Sequence, residues 1–118
     1  MAPPANGPVV AVVKDLFFVA RIRETARLAG VPLTFARSAA EVSATGSDAR
    51  FILIDLTGGF DYEAIFTAID ANKAPALGFT THALASHTKP WHDRCARVVT
   101  KETLTAELPS LLQNGIVP

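Results

Sequence analysis

Apolar residues along this chain fall into two rhythms that alternate. Val9-Val10-Ala11-Val12-Val13 is a short unbroken β-branched run between Pro8 and Lys14-Asp15. Such a run suits a strand covered on both faces. Behind it Phe18, Ile22, Ala26 and Ala29 recur at helical spacing, while Arg21, Arg23, Glu24 and Arg27 fill the other faces. Asp15 is placed to cap that helix and Gly30 to stop it. The alternation then repeats. Leu33-Thr34-Phe35-Ala36 predicts a second strand, and Ser38 with Glu41 three residues on predicts a capping box for a short helix over 39–44. Thr45-Gly46-Ser47-Asp48 reads as a loop. Phe51-Ile52-Leu53-Ile54 is the strongest strand and ends at Asp55. Thr57-Gly58-Gly59 then turns into a helix capped by Asp61, with Ile65, Phe66 and Ile69 inward. Ala76-Leu77-Gly78-Phe79 follows Pro75 as a fourth strand and ends at Thr80-Thr81-His82. A fourth helix is the hardest to place, because Pro90 must break or kink any helix begun near Ala83. Arg97-Val98-Val99-Thr100 predicts a fifth strand, followed by Lys101. Leu104, Leu108, Leu111 and Leu112 mark a closing helix that ends near Gly115, with an irregular first turn suggested by Pro109.

Strands alternating with helices in this way specify an α/β doubly wound three-layer sandwich. Of the few topologies that right-handed crossovers allow, the expectation is a five-stranded parallel sheet of order 2-1-3-4-5, flavodoxin-like. Residues 9–118 form its single domain, and residues 1–8, with three prolines and a glycine, form a disordered tail. With 118 residues, 49% hydrophobic and 19% charged, the chain is one ordinary globular domain able to build its own core. Eleven Lys+Arg balance eleven Asp+Glu, so whole-chain charge drives binding neither to nucleic acid nor to an anionic membrane. Cys95 is the only cysteine; it points to a reducing, cytoplasmic setting and supplies no metal framework. No secretory signal is expected at the N-terminus, and no apolar run approaches the roughly 20 residues of a membrane-spanning helix.

The chemistry lies at the carboxyl ends of the strands. Lys14-Asp15, Asp55, Thr80-Thr81 and Lys101 follow strands 1, 3, 4 and 5, and the proposed order makes them converge on one cleft. Asp15 and Asp55 offer hard oxygen ligands of the kind Mg²⁺ prefers, completed by water and a backbone carbonyl, that of Thr57. Asp55 is placed to attack phosphorus and form an acyl phosphate, with the Thr80 hydroxyl and the Lys101 ammonium on the phosphoryl oxygens.

On these residues the chain resembles the receiver domain of bacterial two-component response regulators, the CheY-like superfamily, over roughly residues 9–114. Val12-Val13-Lys14-Asp15 stands at the place of the family's acid pair. Ile52-Leu53-Ile54-Asp55-Leu56 looks like the phosphoacceptor strand, Pro75-Ala76-Leu77-Gly78-Phe79-Thr80-Thr81 like the strand with the switch hydroxyl, and Val99-Thr100-Lys101 like the strand ending in the family's lysine. The departures make it a degenerate, pseudo-receiver-like member. Lys14 replaces the first acid, Glu102 stands at the family's usual proline, and Thr57-Gly58-Gly59 forms the loop after the aspartate. An ammonium in place of a carboxylate changes the local charge by two units. Each unit is worth about 3 kcal/mol at about 5 Å and an effective dielectric near 20, so after solvent screening a loss of about ten- to hundredfold in Mg²⁺ affinity follows. Lys14 is placed to pair with Asp55 and stand in for the cation.

The resemblance implies a stand-alone signalling domain that acts through a protein partner, either a separate output protein or histidine kinase, or through a homodimer. The face formed by the fourth and fifth helices and the fifth strand is the expected contact. Phosphorylation at Asp55 is expected to be weakened or absent, and the chain is read as more a binder than an enzyme. Two alternatives stand beside this reading: a working receiver that accepts phosphate on Asp55 with Mg²⁺, and a small nucleotide- or flavin-binding protein or enzyme using the same cleft. The second lacks a Gly-rich phosphate loop or dinucleotide fingerprint.

Each site residue also has a plainer use. Asp55 can simply end a strand and cap a turn, Asp15 can be only a helix cap, and Lys14 can be a solvated lysine. His82, His87 and His92, spaced five and five, do not share a helix face as metal-binding pairs do, and read as surface histidines around a loop. Trp91 is open to two readings, a solvent-side aromatic or a partly buried one. Cys95 has no visible activating partner.

Overall fold

Each expected strand and helix forms, in the expected order. The computed structural model describes residues 7–45 and 48–114. β1 (Val9–Val12), β2 (Leu33–Phe35), β3 (Phe51–Asp55), β4 (Ala76–Thr80) and β5 (Arg97–Thr100) alternate with α1 (Leu16–Ala29), α2 (Ala39–Thr45), α3 (Tyr62–Asn72), α4 (Ala85–His92) and α5 (Lys101–Asn114). All neighbouring strands are parallel, and the order across the sheet is β2-β1-β3-β4-β5.

Strand side chains alternate between two cores, which is why β1, and β3 from Phe51 to Ile54, carry apolar residues at every position. Val9, Ala11, Phe51, Leu53, Leu77, Phe79 and Val99 pack on one face with Ile22 and Ala26 of α1 and Leu104, Leu108 and Leu112 of α5. Val10, Val12, Ile52, Ile54 and Ala76 pack on the other with Val42 of α2 and Ile65, Phe66 and Ile69 of α3. The helix ends follow the expected chemistry. Asp15 caps α1, Asp61 caps α3, and Gly30 closes α1 in the left-handed conformation (φ 69°) that a Cβ would disfavour. Glu41 N–H donates to Ser38 Oγ at 3.2 Å, while the Glu41 carboxylate accepts from Arg37 N–H at 3.4 Å.

Three local expectations need correction or limits. Pro90 does not break α4, which runs on to His92; Pro90 is exposed, so the carbonyl left without an N–H partner lies where water can reach it. Pro109 likewise sits inside a continuous α5 on its exposed side, and the first turn is regular. There Thr103 N–H donates to Thr100 Oγ1 at 3.2 Å. Gly7 and Pro8, assigned to the tail, belong to the fold. The Gly7 carbonyl accepts from Arg50 Nε at 2.9 Å, the Pro8 carbonyl from Arg50 N–H at 2.9 Å, and Arg50 Nη1 also donates to the Leu112 carbonyl at 2.8 Å. The rest of the expected tail, the middle of the 45–48 loop and the end near Gly115 lie outside the described residues.

Candidate functional site

Register brings the carboxyl ends of the strands together. Val12 lies opposite Ile54, Asp55 opposite Phe79, and Thr80 opposite Thr100. The chain therefore leaves β1, β3, β4 and β5 along one edge, and Lys14-Asp15, Asp55, Thr80 and Lys101 are carried there by the sheet itself.

Asp55 is the centre of this edge and is 3% exposed. Its Oδ1 accepts from Thr57 N–H at 2.9 Å and from Thr57 Oγ1 at 2.8 Å, an Asx turn that folds the β3–α3 loop back onto the strand tip. Its backbone carbonyl accepts from the Tyr62 hydroxyl at 2.7 Å, and that hydroxyl in turn accepts from Gly58 N–H at 2.8 Å. Tyr62 thus braces the loop from the first turn of α3. Burial pushes its phenol above the usual range, and the Asp55 charge adds to the effect. Among the described residues Asp55 Oδ2 has no hydrogen-bond partner, yet no buried side-chain oxygen or nitrogen lacks one.

Neither lysine makes an ion pair with Asp55 among the described residues, so the expected Lys14–Asp55 pair does not form. The ion pairs among the described residues are Arg27–Glu24, Arg94–Asp70 and Arg97–Glu107. Lys14 Nζ donates to the Gly59 carbonyl at 3.1 Å and lies 4.5 Å from the centroid of the Phe60 ring. Gly59 has φ 75°, which turns the loop so that this carbonyl is presented to β1's exit. Lys101, the first residue of α5, lies 5.2 Å over the Phe18 ring, on the α1 side of the sheet. Asp15 spends Oδ1 on the α1 cap, accepting from Phe17 N–H at 2.9 Å and Phe18 N–H at 3.2 Å.

Thr80 heads a second arrangement. It is 4% exposed, and its hydroxyl is 3.0 Å from that of Thr88, equally buried in α4. Thr88 Oγ1 is in turn 2.8 Å from His92 Nε2 and 3.2 Å from the Ala85 carbonyl. A chain of three polar side chains therefore runs from the tip of β4 through α4 to a half-buried imidazole. His92 departs from the surface-loop expectation, while His82 and His87 are exposed. Sequence reasoning missed Thr88 because its partnership needs α4 as a helix, which Pro90 seemed to forbid; once α4 is a helix, Thr88 and His92 are an i, i+4 pair. Tyr62 was also missed. Its signal was a lone tyrosine just after the Asp61 cap. Trp91 is half-buried, stacked on Phe66 with 5.7 Å between ring centroids and tilted against Tyr62 at 5.7 Å. Cys95 packs beneath β4, and burial pushes its thiol up to about 11.

The donor set fits a magnesium ion poorly. Among the described residues no three His, Cys, Asp or Glu side chains group as a metal site. Two carboxylates remain, each with one oxygen already accepting backbone N–H groups, and the Lys14 ammonium sits over the adjacent loop. A small dication prefers near-octahedral oxygen ligation, and a neighbouring cation opposes it.

No protein-family model and no curated relative matches the chain. Solved structures do. A response regulator receiver domain protein from Clostridium thermocellum superposes with a TM-score of 0.71 at 9% identity, over 92% of each chain. The receiver domain of the sensor histidine kinase PA1611 of Pseudomonas aeruginosa, with a magnesium ion coordinated in its active-site cleft, gives 0.70 at 19% identity over 92% of this chain and 95% of that one. The chemotaxis response regulator CheY4 of Vibrio cholerae gives 0.65 at 21%, over 90% and 98%.

Proposed function

The chain has the receiver fold, and on that premise we propose that it is a signalling domain of the receiver type that acts by binding a protein, with phosphoryl acceptance at Asp55 weakened or lost. One observation carries the reading: Asp55 Oδ1 is held by the Thr57 amide and hydroxyl, while Lys14 and Lys101 engage Gly59 and Phe18 instead. Charge stabilisation of a phosphoryl group needs cations at that carboxylate, and here neither lysine pairs with it. The bacterial cytoplasm is the setting in which such a domain would work, and no helix among the described residues is long and apolar enough to cross a membrane.

One observation favours the second reading, a working phosphoacceptor. Asp55 Oδ2 makes no hydrogen bond among the described residues. That oxygen could attack a phosphodonor, forming the new P–O bond as the donor's own P–O bond breaks and its leaving group departs. Asp15, the Thr57 carbonyl, Thr80 and Lys101 would be its partners, each at or just after the carboxyl end of a strand in sequence. Incubation with Mg²⁺ and a small phosphodonor, followed by intact-mass measurement, separates the two. The proposal expects no stoichiometric phosphoryl adduct. An adduct of one phosphoryl group that Asp55→Asn abolishes would establish the second reading.

A further inference from the structure

Three of the exposed large apolar side chains lie on one helix. Leu16, Phe17 and Leu28 of α1 are 77%, 84% and 72% exposed. Val19, Ile22 and Ala26 take α1 into the core. On the opposite side Phe17, Ala20, Arg21, Glu24 and Leu28 fall at i, i+3, i+4, i+7 and i+11, the spacing of a continuous outward stripe.

The order of residues along that stripe reads the same from both ends. Apolar side chains, Phe17 and Leu28, stand at its two extremities. A cation, Arg21, and an anion, Glu24, stand either side of its midpoint. If a second α1 is laid antiparallel across a two-fold axis between positions 22 and 23, Phe17 meets the partner's Leu28 and Arg21 meets the partner's Glu24. Each contact occurs twice, as an isologous interface requires. Arg21 makes no ion pair among the described residues, whereas Glu24 is held in place by Arg27 Nε at 3.0 Å.

We propose that the outer face of α1 is a self-complementary docking surface whose occupant is a second copy of this chain, packed antiparallel through Phe17–Leu28 and Arg21–Glu24 contacts. One helix pair buries less than the roughly 1,200–2,000 Å² of a stable complex, so the dimer is weak and concentration-dependent. The surface is separate from the face of α4, β5 and α5. It does not depend on whether Asp55 accepts phosphate, so phosphodonor and association experiments fail independently.

Sedimentation velocity of the full chain from about 10 μM to about 1 mM tests this. The expected result is a reversible monomer–dimer equilibrium that Phe17→Glu weakens at least about tenfold. Arg21→Glu and Glu24→Arg should each weaken self-association too, by placing like charges opposite each other. Mixing these two variants should restore association, because each then offers the other an opposite charge in both pairs. A chain monomeric throughout would overturn the proposal. So would a dimer insensitive to Phe17→Glu, or a mixture that associates no better than either variant alone.

Discussion

The Thr57 hydroxyl lies 2.8 Å from Asp55 Oδ1, and the Thr57 amide lies 2.9 Å from the same oxygen. One residue therefore donates twice to a nearly buried carboxylate and closes the loop that leads to α3. A hydrogen bond to a charged acceptor contributes about 1.5–3 kcal/mol, and the half-buried position of Thr57 places this one at the lower end. Thr57→Val keeps the shape and the amide bond but removes the hydroxyl. It should lower stability by about 1–2 kcal/mol in urea denaturation. Asp55→Asn should cost less, because the amide oxygen can still accept both bonds. An Asp55→Asn loss larger than that of Thr57→Val would mean that the negative charge itself is what the turn stabilises.

Lys14 sets the second expectation. Its ammonium is held by the Gly59 carbonyl and the Phe60 ring, both in the loop after Asp55, so it remains close to the carboxylate edge without joining it. Lys14→Asp reverses that charge and adds an oxygen donor beside Asp15. Titration calorimetry with Mg²⁺ should show weak, unsaturated binding by the natural chain at millimolar ion and about ten- to hundredfold tighter binding by Lys14→Asp. Lys14→Met, which removes the charge and adds no ligand, should fall between them. If Lys14→Met bound as tightly as Lys14→Asp, electrostatic exclusion alone would explain the weak site.

Thr80, Thr88 and His92 invite a double-mutant cycle. Thr80 and Thr88 are both 4% exposed, and their hydroxyls share a bond of 3.0 Å. Thr88→Val removes that hydroxyl and leaves Thr80 Oγ1 buried without its partner and His92 Nε2 without its contact at 2.8 Å. An unsatisfied buried polar group costs about 1–3 kcal/mol. Thr80→Val alone should cost less, since Thr88 keeps the Ala85 carbonyl and His92. The double variant should be more stable than the sum of the two losses predicts, with a coupling of about 0.5–2 kcal/mol. Additive losses would mean that the two hydroxyls do not act as a pair.

Much of this architecture was legible before any coordinates, for a specific reason. Residues 9–13 and 51–54 are apolar at every position, as a doubly covered parallel strand requires, and the acidic caps Asp15 and Asp61 mark where α1 and α3 begin. The strand-edge placement of Asp55, Thr80 and Lys101 follows from that alternation alone. What was not legible is the direction each side chain takes at the edge. Lys14 chooses a carbonyl and a ring over Asp55, and Lys101 chooses Phe18, because loop turns and aromatic placement decide these contacts and neither has a sequence period. The proline rule misled at α4 and α5. Pro90 and Pro109 are both exposed, where water can satisfy the carbonyl that loses its N–H partner.

Alkaline titration gives the last prediction, and its sign follows from burial. Cys95 is pushed from an ordinary value of 9.0 up to about 11, and Tyr62 is raised above 10.0, both because burial disfavours the ionised form. In the unfolded chain the thiol releases its proton near its ordinary value, while the folded thiol keeps it until about 11. Between those points the folded state holds more protons, so stability falls as pH rises. The stabilisation is complete below the unfolded value and is lost through the folded one; Tyr62 adds a further loss beginning above 10.0. Urea midpoints should therefore be level near neutral pH and decline from about pH 9. Cys95→Ala should flatten the first part of the decline, whereas Tyr62→Phe should flatten only the later part. Thiol-directed reagents should label native Cys95 slowly at mildly alkaline pH and rapidly after denaturation. A midpoint profile unchanged by Cys95→Ala, or fast labelling of the native chain, would place the thiol in solvent and remove burial as the cause.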